Sequence, residues 1–163
     1  DQIILIGNIK NDFGGSQALK YINTKKSLRK PPEINFSSHL KINNFVYKII
    51  RKYEINSIHD ISEGGLMIAI SESCFNPNNN IGAKINPKLL GLKSNLPLFA
   101  ESQGCYILST NKNQAGKIKS YATKNNINVK VIGEVGGDSL ILEDTFKIKI
   151  DALFKIWNGG FPS

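Results

Sequence analysis

The amino-acid sequence predicts an α+β domain in which helices pack on one side of a mixed sheet. Two kinds of hydrophobic periodicity support this prediction. Short runs of β-branched and aliphatic residues alternate along the chain with longer segments whose apolar residues recur at helical spacing. The 163 residues are enough for one domain with a substantial core, and 40% of them are hydrophobic. The predicted order is strand, short helix, long helix, strand, helix, strand, strand, helix, strand, hairpin, helix.

Residues 1–35 predict a leading strand and a basic loop. The strand covers 3–6, Ile-Ile-Leu-Ile. A turn made of Gly14, Gly15 and Ser16 then opens a short helix over 17–22, and its backbone N–H groups could face an anion. The alternative is a simple turn in which Ser16 caps the helix. The basic residues Lys25, Lys26, Arg29 and Lys30 precede Pro31-Pro32, and we interpret them as a solvated loop that could also meet a phosphate.

Ser37 and Ser38 are expected to cap a long helix that ends near Tyr53. Its apolar residues follow the i, i+3, i+4, i+7 pattern of a helix with one buried face. His39 falls in the first turn, where we expect a surface residue rather than a ligand.

Ser57–Phe75 predicts a strand, a polar turn and a buried helix. Asp60 and Ser62 are placed to accept hydrogen bonds from the free N–H groups of the helix. Gly64 and Gly65 lack a Cβ and allow backbone or ligand to come close. This arrangement fits an anion, or a metal with its phosphate, near the positive end of a helix dipole. A well-capped core helix with a Gly-rich start is the alternative.

The second half of the chain predicts strands at 81–85, 105–109 and 129–132, a hairpin over 139–150, a helix over 111–124 and a last helix around 153–157. Before the strand at 105, an apolar Leu-Phe pair leads directly into Glu101, Ser102 and Gln103. Three consecutive polar side chains between apolar segments are either one wall of a site or a set that satisfies itself at the strand entry. The residues alone leave both interpretations open.

Composition and charge exclude some classes of function. The net charge is +8, but the excess Lys is scattered singly or in pairs, so we do not expect a nucleic-acid-binding protein. Cys74 and Cys105 lie in apolar runs and are expected to be buried free thiols in a reducing compartment. The chain contains no apolar stretch long enough to span a bilayer and opens with no signal peptide, so we expect a cytoplasmic protein without a membrane partner.

The residues show no complete catalytic apparatus. His59 beside Asp60 could act as a base with its orienting carboxylate, but neighbours in a strand point to opposite faces, so we expect them not to meet directly. Asp60, Glu63 and Glu101 supply oxygen ligands, which suit Mg²⁺ better than a transition metal. The residues therefore indicate nucleotide or phosphate binding.

Three motifs together resemble the phosphoribosylformylglycinamidine synthase family. Along the chain they are residues 13–16 (FGGS), 59–66 (HDISEGGL) and 98–103 (LFAESQ). The tail at 156–162 (IWNGGFP) is also similar to that family. The resemblance covers nearly the whole chain. Single motifs are shared with aminoimidazole ribonucleotide synthetase and selenophosphate synthetase, its relatives in the PurM-like superfamily.

The resemblance implies a single C-terminal domain over 1–163, taken from the second half of a longer ATP-dependent ligase of purine synthesis. The family's catalytic residues lie upstream, so we expect no catalytic residue here and no activity of the domain alone. Asp60 would be a Mg²⁺ ligand, and the other positions facing nucleotide or substrate would be His59, Ser62, Glu63, Gly64, Gly65, Glu101, Ser102, Gln103, Gly14, Gly15 and Ser16.

The implied ligands are ATP, Mg²⁺ and formylglycinamide ribonucleotide, although folding of the domain itself would need none of them. The implied partners are the upstream domains and a glutaminase subunit or domain. A sheet face that packs on those domains could also let the isolated domain form a homodimer. The remaining alternatives are another PurM-like synthetase domain, a stand-alone binding module and a basic nucleic-acid-binding domain. The scattered Lys and the lack of an aromatic-basic face argue against the last of these.

Overall fold

The structure, a computed structural model, describes residues 1–21, 32–76 and 79–160. Within these ranges, seven strands form one sheet: β1 (Gln2–Ile6), β2 (Ser57–Asp60), β3 (Ala83–Ile85), β4 (Tyr106–Thr110), β5 (Val129–Val135), β6 (Ser139–Leu142) and β7 (Phe146–Lys149). The α-helices are α1 (Phe36–Lys52), α2 (Gly65–Cys74), α3 (Lys112–Lys124) and α4 (Ile150–Gly159). Short 3-10 helices cover Gln17–Lys20, Pro87–Leu90 and Leu96–Phe99.

The sheet is mixed, as the sequence predicts. Its strand order is β2-β4-β1-β5-β3-β6-β7. β5 is the central strand, and its neighbour β1 pairs antiparallel with both β4 and β5. β3 pairs parallel with β6, while the other pairings among the described strands are antiparallel. The α+β class is therefore confirmed.

The expectation that helices pack on one side of the sheet is wrong, because helices cover both faces. Ile3 and Leu5 of β1 pack with α2 in one core cluster. Ile4 and Ile6 pack with α1 and α3 in a second cluster. Side chains alternate between the two faces of a strand, so four consecutive aliphatic residues need cover on both.

The predicted elements are present, with different ends. α1 begins at Phe36, and Asn35 rather than Ser37 or Ser38 caps it: the Asn35 side chain accepts a hydrogen bond from the Ser38 N–H over 2.9 Å. The short helix expected over 17–22 is a 3-10 helix that ends at Lys20. The 3-10 helix Leu96–Phe99 was not predicted.

Several predictions fall outside the described residues. They concern the basic cluster Lys25, Lys26, Arg29 and Lys30, together with the Phe161-Pro162 end of the tail motif. Both cysteines are buried and free, as expected. Burial raises the pKa of each thiol, Cys74 and Cys105, to about 11.

Candidate functional site

Glu101 joins two of the three sequence motifs. Its Oε1 atom accepts hydrogen bonds from the Gly64 N–H over 3.0 Å and from the Gln17 N–H over 2.8 Å. Gly64 precedes α2, and Gln17 follows the Gly14–Ser16 turn. We call Glu101, Gly64 and Gln17 the Glu101 junction. Its carboxylate lies where an anion would meet the positive end of α2.

Gly65 explains why the glycine pair is needed at this point. Its φ is +75°, and a Cβ there would lie 2.6 Å from the carbonyl oxygen of Ala100 and 2.7 Å from the carbonyl carbon of Phe99. No side chain fits at that distance from backbone. Gly65 therefore lets the first turn of α2 lie directly against the segment that leads into Glu101.

Asp60 and Ser62 do not cap α2, contrary to the prediction. The residue before the helix is Gly64, in the left-handed conformation and with no side-chain cap hydrogen bond. Ser62 contributes its backbone, since its carbonyl accepts from the Gly65 N–H over 3.1 Å. The side chains of Ser62 and Glu63 are exposed. Glu101, 37 residues further along the chain, instead accepts the hydrogen bond from the Gly64 N–H at the start of α2.

Ser102 and Gln103 differ in environment. Ser102 is 1% exposed, and its Oγ accepts a hydrogen bond from the Lys10 N–H over 2.8 Å. It therefore fastens the loop after β1 to the loop before β4. Gln103 is exposed and lines a polar cavity of about 210 Å³ with Lys10, His39 and the start of α1. Of the three polar residues, Gln103 is the one open to a ligand.

The Gly14–Ser16 turn folds back on itself. The Ser16 Oγ donates a hydrogen bond to the Phe13 carbonyl over 2.7 Å, and Ser16 is 3% exposed. Ser16 occupies the N-cap position of the 3-10 helix that follows, as the alternative expects, but its side chain makes no cap hydrogen bond. Gly15 is exposed at the tip of the turn.

His59 and Asp60 form a separate group at the end of β2. The Nδ1 atom of His59 lies 3.7 Å from the Asp60 carboxylate, and its Nε2 lies 3.4 Å from the carboxylate of Glu72 in α2. The two side chains make no hydrogen bond with each other, as predicted, because 3.7 Å exceeds hydrogen-bond distance. The Nδ1 atom lies 2.5 Å from the backbone carbonyl oxygen of Asp60 instead. Asp60 is the last residue of β2, so no following strand residue fixes its side chain to one face.

The Asp60 carboxylate is 64% exposed and lines a shallow open depression with Tyr106 and the α1 residues Val46 and Ile50. The pKa of Tyr106 is raised, mainly by desolvation and also by the charge of Asp60. Within the described ranges, no group of three or more His, Cys, Asp or Glu side chains is placed to hold a metal ion. These residues alone do not form a Mg²⁺ site.

The sequence marks neither two backbone donors of the site nor a cavity that lies outside it. Lys10 and Gln17 contribute backbone N–H groups to Ser102 and Glu101, and no side-chain pattern marks a backbone donor. An apolar cavity of about 230 Å³ lies between α2 and the sheet, lined by Ile3, Ile70 and Cys74. It contains none of the candidate site residues.

Comparison with known proteins identifies the family. Residues 1–144 match the family model described as "AIR synthase related protein, C-terminal domain", and the chain belongs to that family. This agrees with the mixed seven-stranded sheet and its four helices. The resemblance to phosphoribosylformylglycinamidine synthase is likewise confirmed by the curated relatives.

Two of these relatives are named phosphoribosylformylglycinamidine synthase subunit PurL. The protein of Bartonella tribocorum is 29% identical over 163 residues, which cover 99% of this chain and 22% of that protein. The protein of Bartonella henselae is 31% identical with the same coverage. The chain thus spans about a fifth of the length of the curated relatives it matches.

Solved structures share the fold. "T. maritima PurL complexed with FGAR" superposes with a TM-score of 0.72 at 19% identity, covering 93% of this chain and 27% of that one. Thiamine-monophosphate kinase from Stenotrophomonas maltophilia gives a TM-score of 0.58 at 13% identity, covering 88% and 50%. Among the described residues, no helix has the length and apolar character needed to cross a membrane.

Proposed function

We propose that this chain is a C-terminal domain of a phosphoribosylformylglycinamidine synthase and contributes scaffold and half of a nucleotide site to the intact enzyme. In that reaction, formylglycinamide ribonucleotide, ATP and glutamine-derived ammonia give formylglycinamidine ribonucleotide. The observation that carries the proposal is the Glu101 junction, where the Gly-rich turn, the start of α2 and the Glu-Ser-Gln run meet.

The names of the relatives support this assignment. Curated relatives over 99% of the chain are PurL subunits of that synthase. Structures of the same fold carry the titles "T. maritima PurL complexed with ATP" and "Structure of PurLQS from Thermotoga maritima". From these names we propose that the intact protein works in purine biosynthesis in the cytoplasm and acts with upstream domains and a glutaminase.

We propose different roles for the candidate residues, according to the contacts that each side chain makes. The Glu101 carboxylate and Ser102 are already engaged with backbone N–H groups, so we assign them to holding the loops in place. Gln103 faces the polar cavity and Asp60 is exposed, so we propose that these two meet a ligand. Their contacts within the chain are long: 3.5 Å from Gln103 Nε2 to the Glu101 carbonyl oxygen and 3.7 Å from Asp60 to His59. Gly15, Ser62 and Glu63 are also exposed and complete the accessible surface of the motifs.

The described residues of this chain would hold Mg²⁺ only in part. Because the described residues lack a cluster of three ligands, Mg²⁺ would need groups from outside this chain. Asp60 would supply one oxygen at most, and we assign no reaction step to it. We likewise propose that this chain is inactive alone, which is consistent with the lack of a nucleophile, base and acid brought together among the described candidates.

Fragment complementation tests the proposal. The segment matched by this chain is deleted from the Bartonella henselae relative, and this chain is supplied in trans. We expect product only from the mixture, measured as ADP formation that requires both formylglycinamide ribonucleotide and ammonium. Gln103→Ala should lower that rate, whereas Glu134→Ala, an exposed residue of β5, serves as the matched control. Turnover by this chain alone, or a stable complex without turnover, would contradict the proposal.

A second candidate is another synthetase of the same superfamily. The match to a thiamine-monophosphate kinase structure is the observation that favours it. That protein is named for a different substrate, so the shared fold does not by itself fix the substrate. Turnover of formylglycinamidine ribonucleotide or selenide in place of formylglycinamide ribonucleotide would identify this alternative. A stand-alone binding module would turn over none of the three.

A further inference from the structure

The two helices on one side of the sheet, α1 and α3, carry basic residues and no acidic ones. α1 contains Lys41, Lys48, Arg51 and Lys52, and α3 contains Lys112, Lys117, Lys119 and Lys124. Neither helix contains an Asp or a Glu. Of the 21 Lys and Arg residues in the chain, these eight leave 13, which equals the number of acidic residues. The helix layer formed by α1 and α3 therefore carries a charge equal to the whole net charge of +8.

Part of this layer forms an open groove of about 680 Å³ between the end of α1 and the outer face of α3. Lys52, Lys112, Lys117 and Lys124 line it, and the small residues Gly116 and Ser120 lie between them. Among the described residues, no carboxylate lies within salt-bridge distance of these four lysines. Their charges are not neutralised within the described parts of the chain.

We propose that this groove binds the phosphodiester backbone of a nucleic acid strand without regard to base sequence. Lys112 and Lys124 are twelve residues apart on one helix, a rise of about 18 Å. That span suits several consecutive phosphates along a strand. It does not suit a single small anion, which would need converging donors in an enclosed pocket.

The aromatic residues indicate phosphate contacts rather than base stacking. The Lys52 ammonium lies 4.5 Å from the ring centroid of Tyr121 and 5.5 Å from that of Tyr53. The rings thus hold a lysine in the groove by cation–π contact. A base would have to displace that lysine in order to stack.

The composition of the groove also distinguishes a nucleic acid from an acidic protein. Cores of protein–protein interfaces are depleted in Lys and enriched in apolar anchors. Protein–nucleic acid interfaces are polar and strongly positive. Four lysines around Gly116 and Ser120 match the second description. This inference is independent of the proposed synthase function, since no residue of the Glu101 junction lines the groove.

Fluorescence anisotropy of the purified full chain with a labelled single strand of about 20 nucleotides tests the inference. Four neutralised phosphates predict a log–log salt slope of about −3, so affinity should fall about 50-fold between about 50 and 200 mM salt. The groove variant Lys112→Glu/Lys117→Glu/Lys124→Glu should lose at least about tenfold in affinity. The control variant Lys93→Glu/Lys147→Glu/Lys155→Glu changes the net charge equally at exposed positions outside the groove.

Loss of binding in the groove variant, with little change in the control, would support the proposal, provided that circular dichroism shows both variants folded. Equal loss in both variants would overturn it, because net charge rather than the groove would then explain binding. Absence of binding at low salt would also overturn it. Binding of polyglutamate as tight as that of the oligonucleotide, or a strong preference between homopolymers, would overturn phosphate recognition.

Discussion

The two sides of the sheet carry helices of different construction. α2 buries seven of its ten residues, and Glu72 is its only charged one. α1 buries three of its 17 residues and α3 three of its 13, and each carries four positive charges. α2 therefore packs against neighbouring elements on most of its surface, whereas α1 and α3 each bury only a narrow apolar stripe against the sheet.

The starts of the helices differ in the same way. Asn35 and Asn111 cap α1 and α3 with their own side chains, which accept from N–H groups three residues ahead. α2 has no local cap and instead receives the Glu101 carboxylate from a different part of the chain. The candidate site therefore lies at the helix whose start is stabilised by a residue distant in the sequence rather than by a local cap.

Gly65→Ala is the strongest test of that dependence. The new Cβ would meet the backbone of Phe99 and Ala100 at a positive φ, so we expect a loss of about 3 kcal/mol in the free energy of unfolding. Urea denaturation measures it. Gly116→Ala on α3 is the matched control, because a Cβ there meets nothing within 4 Å. It should stabilise the chain by about 0.5–1 kcal/mol. Equal effects on the two helices would contradict the comparison.

Glu101→Ala should cost about 2 kcal/mol, because it removes the acceptor for two backbone N–H groups. Amide hydrogen exchange should accelerate at Gly64 and Gln17. Glu101→Gln keeps one oxygen acceptor and should restore most of the protection. An unchanged exchange rate at Gly64 in the Glu101→Ala variant would show that Glu101 does not cap α2.

Asn111→Ala should cost about 1 kcal/mol, the usual value for a lost helix cap. Its side chain accepts from the Gln114 N–H over 2.9 Å. Because this cap is local, faster hydrogen exchange should be confined to the first turn of α3 and leave Gly64 protected. Spread of the effect to α2 would show that the two helical layers are coupled.

Asp138→Asn should have the smallest effect. A hydrogen bond from Lys149, together with one from Ser139, lowers the pKa of Asp138 to about 2. A lowered pKa in the folded state stabilises the protein above the unfolded value near 4, and this contribution is lost as the pH falls through about 2. Thermal unfolding of the variant should therefore differ from the parent at pH 7 and converge with it near pH 2. The group is exposed, so the difference should be small.

Much of the fold follows from local patterns. The apolar runs of the strands and the apolar stripes of α1 and α3 are visible in the sequence, because periodicity reports which face of an element is buried. The faces of the sheet on which the helices pack are not visible there. The run Ile3–Ile6 is compatible with cover on both faces, but it does not say which elements provide that cover.

The candidate site was identified by its residues but not by its connections. The sequence singles out Glu101 and the glycine pair, yet it assigns the cap of α2 to Asp60 and Ser62. A local side chain is the usual cap, and no pattern in the sequence reports a carboxylate that arrives from 37 residues away.

The sequence by itself determined the α+β class, the resemblance carried by three motifs, the buried free thiols and the total charge, because each depends on composition or local order. The tertiary structure alone decided that helices cover both faces and that Glu101 closes α2. It also decided that lysines scattered along the chain lie together on α1 and α3. Their grouping depends on which helix faces pack against the sheet, and only packing determines that.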